Sequence, residues 1–426
     1  MPIIGGYTPG VTGGIQNSSQ PPHVDMIKKD FGQTILRYMR GGSAPIFAML
    51  SALQTGTADN TTHGYYGKGM LLPSVQLNGA KLAGDTVLVV DSTAQILPGD
   101  VLAASYAGEK ILVNSVDSAT QITVTRAFGT VPAAGLADDL VLIKIGTAHE
   151  EASGRPGALS WNPTQFVNYT QIFRTGWAVS GTASQIKHIV GDGQVAENRM
   201  DCMHLHSQAL ETAILFGDKY TGTKNGKPIR AMEGILHNVK NPANYPADLD
   251  GAVHHYVVGD GSAGSVTWVA LQTPLESTLD VQMVNSPSNE RYIYCGKTFL
   301  QIINEVIRKT GEMQLTPALT DFGLQISQLR TARGTFNLIE HPMLNMNAQW
   351  AKLGFVLNLS TLRLVYLGNR KTQTKTYGLG VNGSLNQVHD NSLDAVGGDL
   401  LTEMTIEHLN APANAVIELN GTAGAS

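Results

Sequence analysis

The stretch that decides the fold lies mid-chain and reads Asn168-Tyr-Thr-Gln-Ile-Phe173, followed at once by Arg174-Thr-Gly-Trp-Ala-Val-Ser-Gly-Thr-Ala183. It contains no catalytic constellation. Downstream, apolar residues recur at helical spacing from Gln194 to Phe216, and Gly217 is a suitable stop. The residues that form this pattern are Val195, Met200, Met203, Leu205, Leu210, Ile214 and Leu215. They predict a helix roughly 35 Å long, at ~1.5 Å per residue.

The composition is poor in charge. Of 426 residues, 42% are hydrophobic and only 15% are charged, whereas soluble domains typically carry roughly 25% charged residues. Because a monomer relies on surface charge to stay dispersed, this composition favours a chain whose surface is largely covered by copies of itself. An ordinary β-rich protein remains the alternative. The length is sufficient for two or three domains.

The net charge of −5 argues against a dedicated nucleic-acid binder, which normally carries a basic excess. Two cysteines, Cys202 and Cys295, form no disulfide framework and agree with a reducing cytosol. The N-terminal residues have neither the basic nor the apolar region of a signal peptide. No apolar run approaches the ~20 residues of a membrane helix, so we expect no membrane partner.

Patterns along the chain predict an arm, helices and strands in succession. Residues 1–22 are rich in Gly, Pro, Ser and Gln and predict an arm that orders only on a partner. Short β runs with turn formers between them predict a small all-β module over 74–146. Residues 147–182 are polar and are expected to be irregular, whereas the pattern from Phe299 to Ile307 predicts an amphipathic helix. Further strands are expected at 335–339, 355–359, 362–367, 371–377, 401–409 and 415–419.

Three patterns resemble sites of chemistry, and in each case a structural interpretation is favoured. Gly259-Asp-Gly261-Ser-Ala-Gly264 matches a dinucleotide fingerprint, but its surroundings do not alternate β and α, so a surface turn is expected. Cys202 and His206 share one helix face, yet two ligands leave a metal site incomplete. Signatures of a nucleophilic enzyme are missing. We therefore expect no catalytic residue, no metal and no cofactor.

The order of elements, and four segments in particular, resemble a known family. These segments are Asp30-Phe31 with Ser43-Ala-Pro-Ile-Phe47, Asn168 to Phe173, Glu211 to Gly217 with Arg230-Ala-Met-Glu-Gly-Ile235, and Gly397 to Leu409. Together they resemble tailed-bacteriophage major capsid proteins of the Hong Kong 97-like fold, in the branch with a β module inside the extended loop. The stretch His63-Gly-Tyr-Tyr-Gly-Lys68 departs from the acidic and aromatic residues that this family often has at the entry to that loop.

The resemblance implies an α+β fold with the following division of the chain. Its parts are an N-terminal arm (1–30), a first peripheral segment (31–58), an extended loop (59–182) carrying the β module (74–146), a peripheral segment (183–274) with the spine helix (194–216), an axial domain (275–390) and closing strands of the peripheral domain (391–426). It also implies structural anchors at Phe31, Pro45, Phe47, Asn168, Gln171, Phe173, Glu211, Gly217, Arg230, Gly234 and Glu403.

The implied function is structural: self-assembly into hexamers and pentamers of an icosahedral phage head around double-stranded DNA, in the host cytoplasm. Implied partners are further copies of the chain, a portal protein, a decoration or cement protein, and DNA held by weak non-specific contact. The residues before Phe31 leave no room for a fused scaffold of ~100 residues, so a separate scaffolding protein is expected. The alternatives are another β-rich virion component, such as a tail-tube or decoration protein, and a nucleotide-dependent cytosolic enzyme.

Overall fold

The computed structural model describes residues 45–53, 55–69, 74–105, 108–160, 162–186, 193–245, 253–282, 288–310, 316–317, 326–377 and 395–424. The predicted arm, the anchor Phe31 and the patterns before Pro45 lie outside these residues. Contacts divide the described chain into two compact units. One contains residues 175–204 and 374–400, and the other contains the described part of 40–174 together with 205–373 and 401–426.

Six α-helices occur in the described residues. They are α1 (Pro45–Ala52), α2 (Gly181–Gln185), α3 (Gln194–Phe216), α4 (Ile235–Lys240), α5 (Trp268–Ser277) and α6 (Lys297–Thr310). We call α3 the spine helix, and its bounds are those predicted from the sequence. Helix α6 buries the predicted apolar face, including Phe299, Ile303 and Val306. Among these helices, none combines the length and the apolar character that crossing a membrane requires.

The strands of the first half of the chain are β1 (Thr55–Ala58), β2 (Thr62–Gly67), β3 (Ser74–Gln76), β4 (Val87–Val89), β5 (Asp100–Ala103), β6 (Lys110–Ser118), β7 (Gln121–Thr125), β8 (Val141–Thr147), β9 (Thr164–Tyr169) and β10 (Gln171–Ser180). Those of the second half are β11 (Tyr220–Lys224), β12 (Lys227–Ala231), β13 (His255–Val258), β14 (Glu290–Cys295), β15 (Thr316–Pro317), β16 (Ile326–Arg330), β17 (Thr335–Glu340), β18 (Leu353–Leu357), β19 (Leu362–Leu367), β20 (Gln373–Tyr377), β21 (Ala395–His408) and β22 (Ala415–Leu419).

Residues 74–147 form a separate six-stranded antiparallel sheet in the order β3-β8-β5-β6-β7-β4. Strand residues alternate between the two faces, and one face buries a core of its own, with Leu102, Ile111, Ile122 and Leu142 fully covered. This core contains no residue from outside the module. The local alternation of apolar residues is thus sufficient to build the module.

Strands β2 and β9 form a two-stranded antiparallel ribbon that precedes and follows the module in sequence. The prediction that 147–182 is irregular was wrong, since β9 and β10 fill most of 164–180. The six residue pairs of the ribbon run from Thr62 opposite Tyr169 to Gly67 opposite Thr164. Because both faces of the ribbon are partly polar and partly exposed, these strands lack the apolar alternation by which strands are recognised in a sequence.

The larger unit contains a seven-stranded mixed sheet, in the order β13-β22-β18-β14-β17-β16-β15. Helices α5 and α6 contribute Leu271, Leu275 and Phe299 to the core on one face of this sheet. Strands β13 and β22 come from segments predicted to be peripheral, whereas β14 to β18 come from the predicted axial segment 275–390. One sheet therefore combines strands of the predicted axial segment with strands from two predicted peripheral segments.

Strand β21 is the longest in the described chain and joins several partners. Its second part pairs with β19 in antiparallel register, from Leu362 opposite His408 to Tyr366 opposite Met404, and β1 lies parallel to β19. Strands β10 and β20 also pair with β21. The strand predicted to begin at 401 begins at Ala395. The strand includes Gly397 and Gly398, which belong to the segment that resembles the closing strands, although glycine weakens strands.

Two further predictions need correction. The strand predicted at 355–359 ends at Leu357, because Asn358 accepts the Ser360 backbone N–H at 3.2 Å and starts a short 3-10 turn. On the spine helix, Met200, Met203 and Leu205 are each more than half exposed. Helical spacing predicted the helix correctly, but it did not reveal that these side chains have no covering partner within the described chain.

Candidate functional site: the junction of ribbon, spine helix and helix α1

A buried carboxylate of the spine helix holds the start of α1. Glu211 is fully buried, and its Oε1 accepts the Ile46 backbone N–H at 2.9 Å while its Oε2 accepts the Phe47 N–H at 2.7 Å. Pro45 occupies the first helical position, where the missing N–H is harmless. The first backbone N–H groups of a helix need acceptors from outside the helix, and a capping residue next to the helix usually provides them. Here the carboxylate of Glu211, on another helix, is the acceptor.

The same carboxylate carries a second buried partner. Nε2 of His341, a residue that is also fully buried, lies 2.6 Å from Oε1 of Glu211. A buried carboxylate needs such partners because desolvation of a charge costs several kcal/mol. The predicted anchors Pro45, Phe47 and Glu211 thus belong to one contact. His341 was not predicted, because a single histidine at the end of a strand carries no sequence signal.

Asn168, at the root of the ribbon, uses every hydrogen-bonding group of its side chain. Its Nδ2 donates to the carbonyl oxygens of Glu233 and Ile406 at 3.0 and 2.9 Å. Its Oδ1 accepts the backbone N–H groups of Glu233 and Tyr169, each at 2.8 Å. The side chain is buried, and one amide therefore ties the ribbon both to the turn before α4 and to strand β21.

The neighbouring residues Thr170 and Gln171 make further hydrogen bonds to β21 and to the segment before α4. Gln171 accepts the Met232 backbone N–H through its Oε1 at 3.0 Å. Thr170 donates its hydroxyl to Oε1 of Glu403 at 3.1 Å, and Arg370 Nε lies 3.0 Å from the other carboxylate oxygen. Because the Glu403 carboxylate is buried while Arg370 is partly exposed, this pair lies at the border between core and solvent.

Phe173 and two glycines complete the packing of the junction. The Phe173 ring is 7% exposed and belongs to the core that contains the end of the spine helix. A Cβ on Gly234 would lie 2.6 Å from the Ala213 carbonyl oxygen, and one on Gly217 would lie 2.5 Å from the same oxygen. Gly217 follows the helix as expected, but it lacks the positive φ of a left-handed cap. Close backbone approach, rather than helix termination, requires glycine here.

Two anchors lie apart from this cluster. Arg230 is half-buried on β12, opposite Thr221 in the β11–β12 hairpin, and Phe31 lies outside the described residues. The other nine anchors form the contacts described above. The resemblance predicted these positions as anchors, and the contacts that they make in the structure involve residues up to 238 positions apart in the chain.

The glycine-rich loop over 259–264 has the character of a surface turn. Gly259, Gly261 and Gly264 have positive φ angles. The Gly261 N–H donates to the Asn420 carbonyl at 2.9 Å, and the Gly264 N–H donates to the Thr422 hydroxyl at 3.0 Å. A phosphate-binding loop needs free backbone N–H groups that point at its ligand. These N–H groups are occupied within the chain, so the structure supports the expected turn.

The residues that resembled a metal site have other partners. Cys202 is buried, and its Sγ donates to the Thr175 carbonyl at 3.4 Å; burial raises the pKa of this thiol. His206 is hydrogen-bonded to the Thr402 hydroxyl at 2.8 Å, and burial lowers the pKa of its imidazole. Over the residues that the structure describes, no group of three or more His, Cys, Asp or Glu side chains could hold a metal ion.

Comparison with known proteins gives one family over nearly the whole chain. The model of the SU10 major capsid protein family matches residues 11–421. The chain is 31% identical over 414 residues to the major capsid protein of Pseudomonas phage PaMx41, covering 96% of each sequence. Solved structures are more distant. Mycobacterium phage Bobi gives 10% identity and a TM-score of 0.47, over 94% of this chain and 98% of the other. The capsid of an empty GTA particle gives 10% sequence identity and a TM-score of 0.47, and the match covers 96% of this chain and 100% of the other.

Both matches are to major capsid proteins, which are structural proteins. The expectation of a non-enzymatic capsid component is therefore confirmed, and the alternatives of a tail-tube protein and of an enzyme are wrong. The described residues have the expected α+β class and the expected order of inserted β module, spine helix and closing strands. A buried junction without catalytic groups, a β module with its own core and a match over 11–421 lead to one conclusion: this chain belongs to the SU10 major capsid protein family.

Proposed function

We propose that this capsid protein assembles in the host cytoplasm into hexamers and pentamers of an icosahedral head that encloses double-stranded DNA. The observation that carries the proposal is the ribbon of β2 and β9. It pairs with no third strand among the described residues, and Tyr66 on it is 67% exposed. A two-stranded ribbon in water is only marginally stable, so contact with a neighbouring copy would stabilise it.

Closed symmetric rings suit this arrangement. Each subunit that lends its ribbon to one neighbour receives a ribbon from another, and a head-to-tail contact of this kind closes into a ring. Many modest contacts made at once hold a shell more firmly than any single contact. The low charged fraction, 15%, agrees with a surface that is mostly covered in the assembly.

The extended loop (59–182) is proposed to lie over the adjacent subunit. The segment 275–390 is proposed to surround the five-fold or six-fold axis as the axial domain, with 1–30 as the arm and the remaining segments as the peripheral domain. The anchors of the junction would then have one task. Asn168, Glu211 and Glu403 hold the ribbon and helix α1 to the rest of the subunit, so that the loop leaves the subunit at a fixed position.

The further partners are proposals of the same kind. They comprise a separate scaffolding protein, a portal protein at one vertex and a decoration or cement protein on the outer surface. Packaged DNA would be held by weak non-specific contact, because a net charge of −5 provides no basic excess to grip a polyanion.

Electron microscopy of the purified protein tests the proposal. The chain is expressed alone and together with its candidate scaffolding protein, and closed shells or six-fold rings are expected under at least one condition. Monomers under every condition would contradict it. Tyr66→Asp provides the sharper test, because it adds charge to an exposed site of the ribbon and should block assembly while the subunit stays folded. Tyr220→Asp is the matched control, since Tyr220 is 57% exposed on the other two-stranded sheet, β11–β12.

A further inference from the structure

A small, partly open cavity lies at the root of the ribbon. Its volume is about 20 Å³, and it is lined by residues of the ribbon, helix α4 and strand β21. The polar side chains that matter here are His63, Tyr65, Asn238, Glu407 and His408. The least volume that holds one water molecule is about 10–15 Å³, so the cavity has room for a single water and for little else.

Several polar atoms around this cavity have no hydrogen-bond partner among the described residues. They are both ring nitrogens of His408, Oδ1 of Asn238 and Oε2 of Glu407. His408 is 5% exposed and Asn238 is 7% exposed. An unsatisfied buried polar group costs about 1–3 kcal/mol, and such groups in native proteins usually bond to an ordered water.

The hydrogen-bonding groups around the cavity favour a neutral ligand that can both donate and accept hydrogen bonds. Asn238 Oδ1 and the Glu407 carboxylate can only accept, while a neutral imidazole offers one donor and one acceptor. An anion would meet the carboxylates of Glu407 and Glu233, which both line the cavity. A metal ion would lack ligands, since the described residues contain no group of three or more that could hold one.

We propose that this cavity binds one water molecule, which accepts a hydrogen bond from His408 and donates one hydrogen bond each to Asn238 Oδ1 and Glu407 Oε2. The water joins α4 and β21 beside the point where the ribbon is attached. His63 of the ribbon already bonds Oε1 of Glu407 at 3.2 Å, and Tyr65 donates its hydroxyl to the His408 carbonyl. The bound water thus fixes the same two residues of β21 that hold the ribbon, and it stiffens the ribbon's root.

A density map of the assembled particle, at a resolution that shows buried waters elsewhere in the subunit, tests the site directly. The expected result is one peak within hydrogen-bond distance of a His408 ring nitrogen and of Asn238 Oδ1. A dry cavity in a map that shows other buried waters would overturn the proposal, and so would a direct hydrogen bond between His408 and Asn238.

Asn238→Leu tests the effect on the ribbon. It removes Oδ1 and fills the cavity, so the peak should vanish and the amides of β2 and β9 should exchange hydrogen about tenfold faster. Asn337→Leu is the matched control, because Asn337 is also buried, at 3% exposed against 7% for Asn238, also has an unpartnered Oδ1, and lies on β17 outside the cavity. Equal acceleration of ribbon exchange in both variants would show general destabilisation and would overturn the stiffening role.

Discussion

The imidazole Nε2 of His341 lies 2.6 Å from Oε1 of Glu211, and neither side chain is exposed to solvent. The same carboxylate accepts two backbone N–H groups at the start of α1. One buried side chain therefore joins the spine helix, the end of strand β17 and the helix that begins the described chain.

Glu211→Gln is expected to lower the free energy of unfolding by about 2–4 kcal/mol, because an amide offers a single acceptor where the carboxylate accepts from three donors. Chemical denaturation of the unassembled subunit measures the change. Glu305→Gln on the exposed face of α6 is the control and should stay within about 0.5 kcal/mol of the parent. A Glu211→Gln subunit as stable as the control would show that the carboxylate contributes nothing beyond its shape.

Asn168→Asp preserves shape but exchanges a donor for an acceptor. The carbonyl oxygens of Glu233 and Ile406 would lose their partner and face a carboxylate, so a loss of about 2–4 kcal/mol is expected. Thermal unfolding of the subunit is the measurement. Asn225→Asp, in the exposed β11–β12 turn, makes the same chemical change without burial and should leave the melting temperature almost unaltered.

Gly234→Ala should destabilise the subunit by about 1–3 kcal/mol, because the added methyl group overlaps the backbone of the spine helix. Gly84→Ala is the control, since a Cβ at that position meets nothing within 4 Å and the backbone there needs no positive φ. Calorimetry of both variants tests the difference. Similar melting temperatures would mean that the two backbone segments separate at little cost.

Replacement of residues 74–146 by a short linker should leave the rest of the subunit folded. The module has its own sheet and its own core, which shares no residue with the other two cores. Circular dichroism and hydrogen exchange of the remaining strands are the measurements, and shells formed by the variant should be weaker or altered. Global unfolding of the deletion variant would contradict the modular arrangement.

Acid should destabilise the subunit through His408. Burial lowers the pKa of this imidazole from 6.5 to about 3, so the unfolded chain binds the proton first as the pH falls. The stability that the neutral form provides is complete above about pH 6.5 and is lost progressively toward pH 3, with a slope of up to about 1.4 kcal/mol per pH unit. Denaturation midpoints measured from pH 7 to pH 4 test this.

His408→Phe should reduce that slope, because it removes the titrating group from both states. His206 and His255 also have pKa values lowered by burial, so part of the slope should remain. An unchanged pH dependence in the His408→Phe variant would show that this imidazole has the same pKa in the folded and unfolded chain.

The local pattern of apolar residues was sufficient to predict an element wherever that element buries one apolar face. The spacing of Leu210, Ile214 and Leu215 predicted the spine helix, and short apolar alternation predicted the β module, because each feature follows from backbone periodicity alone. The ribbon was missed for the same reason. Its strands pair with each other and carry polar as well as apolar residues on both faces, so no period of two is visible in the sequence.

The motifs by themselves indicated which family this chain belongs to, because residue order and spacing are properties of the chain, and they predicted positions for its anchors. Only the tertiary structure decided what each anchor does. Asn168 bonds residues 65 and 238 positions away, and Glu211 bonds residues 165 and 130 positions away. Such contacts depend on which distant segments the fold brings together. Buried polar groups are paired in the folded chain because an unpaired buried group costs free energy.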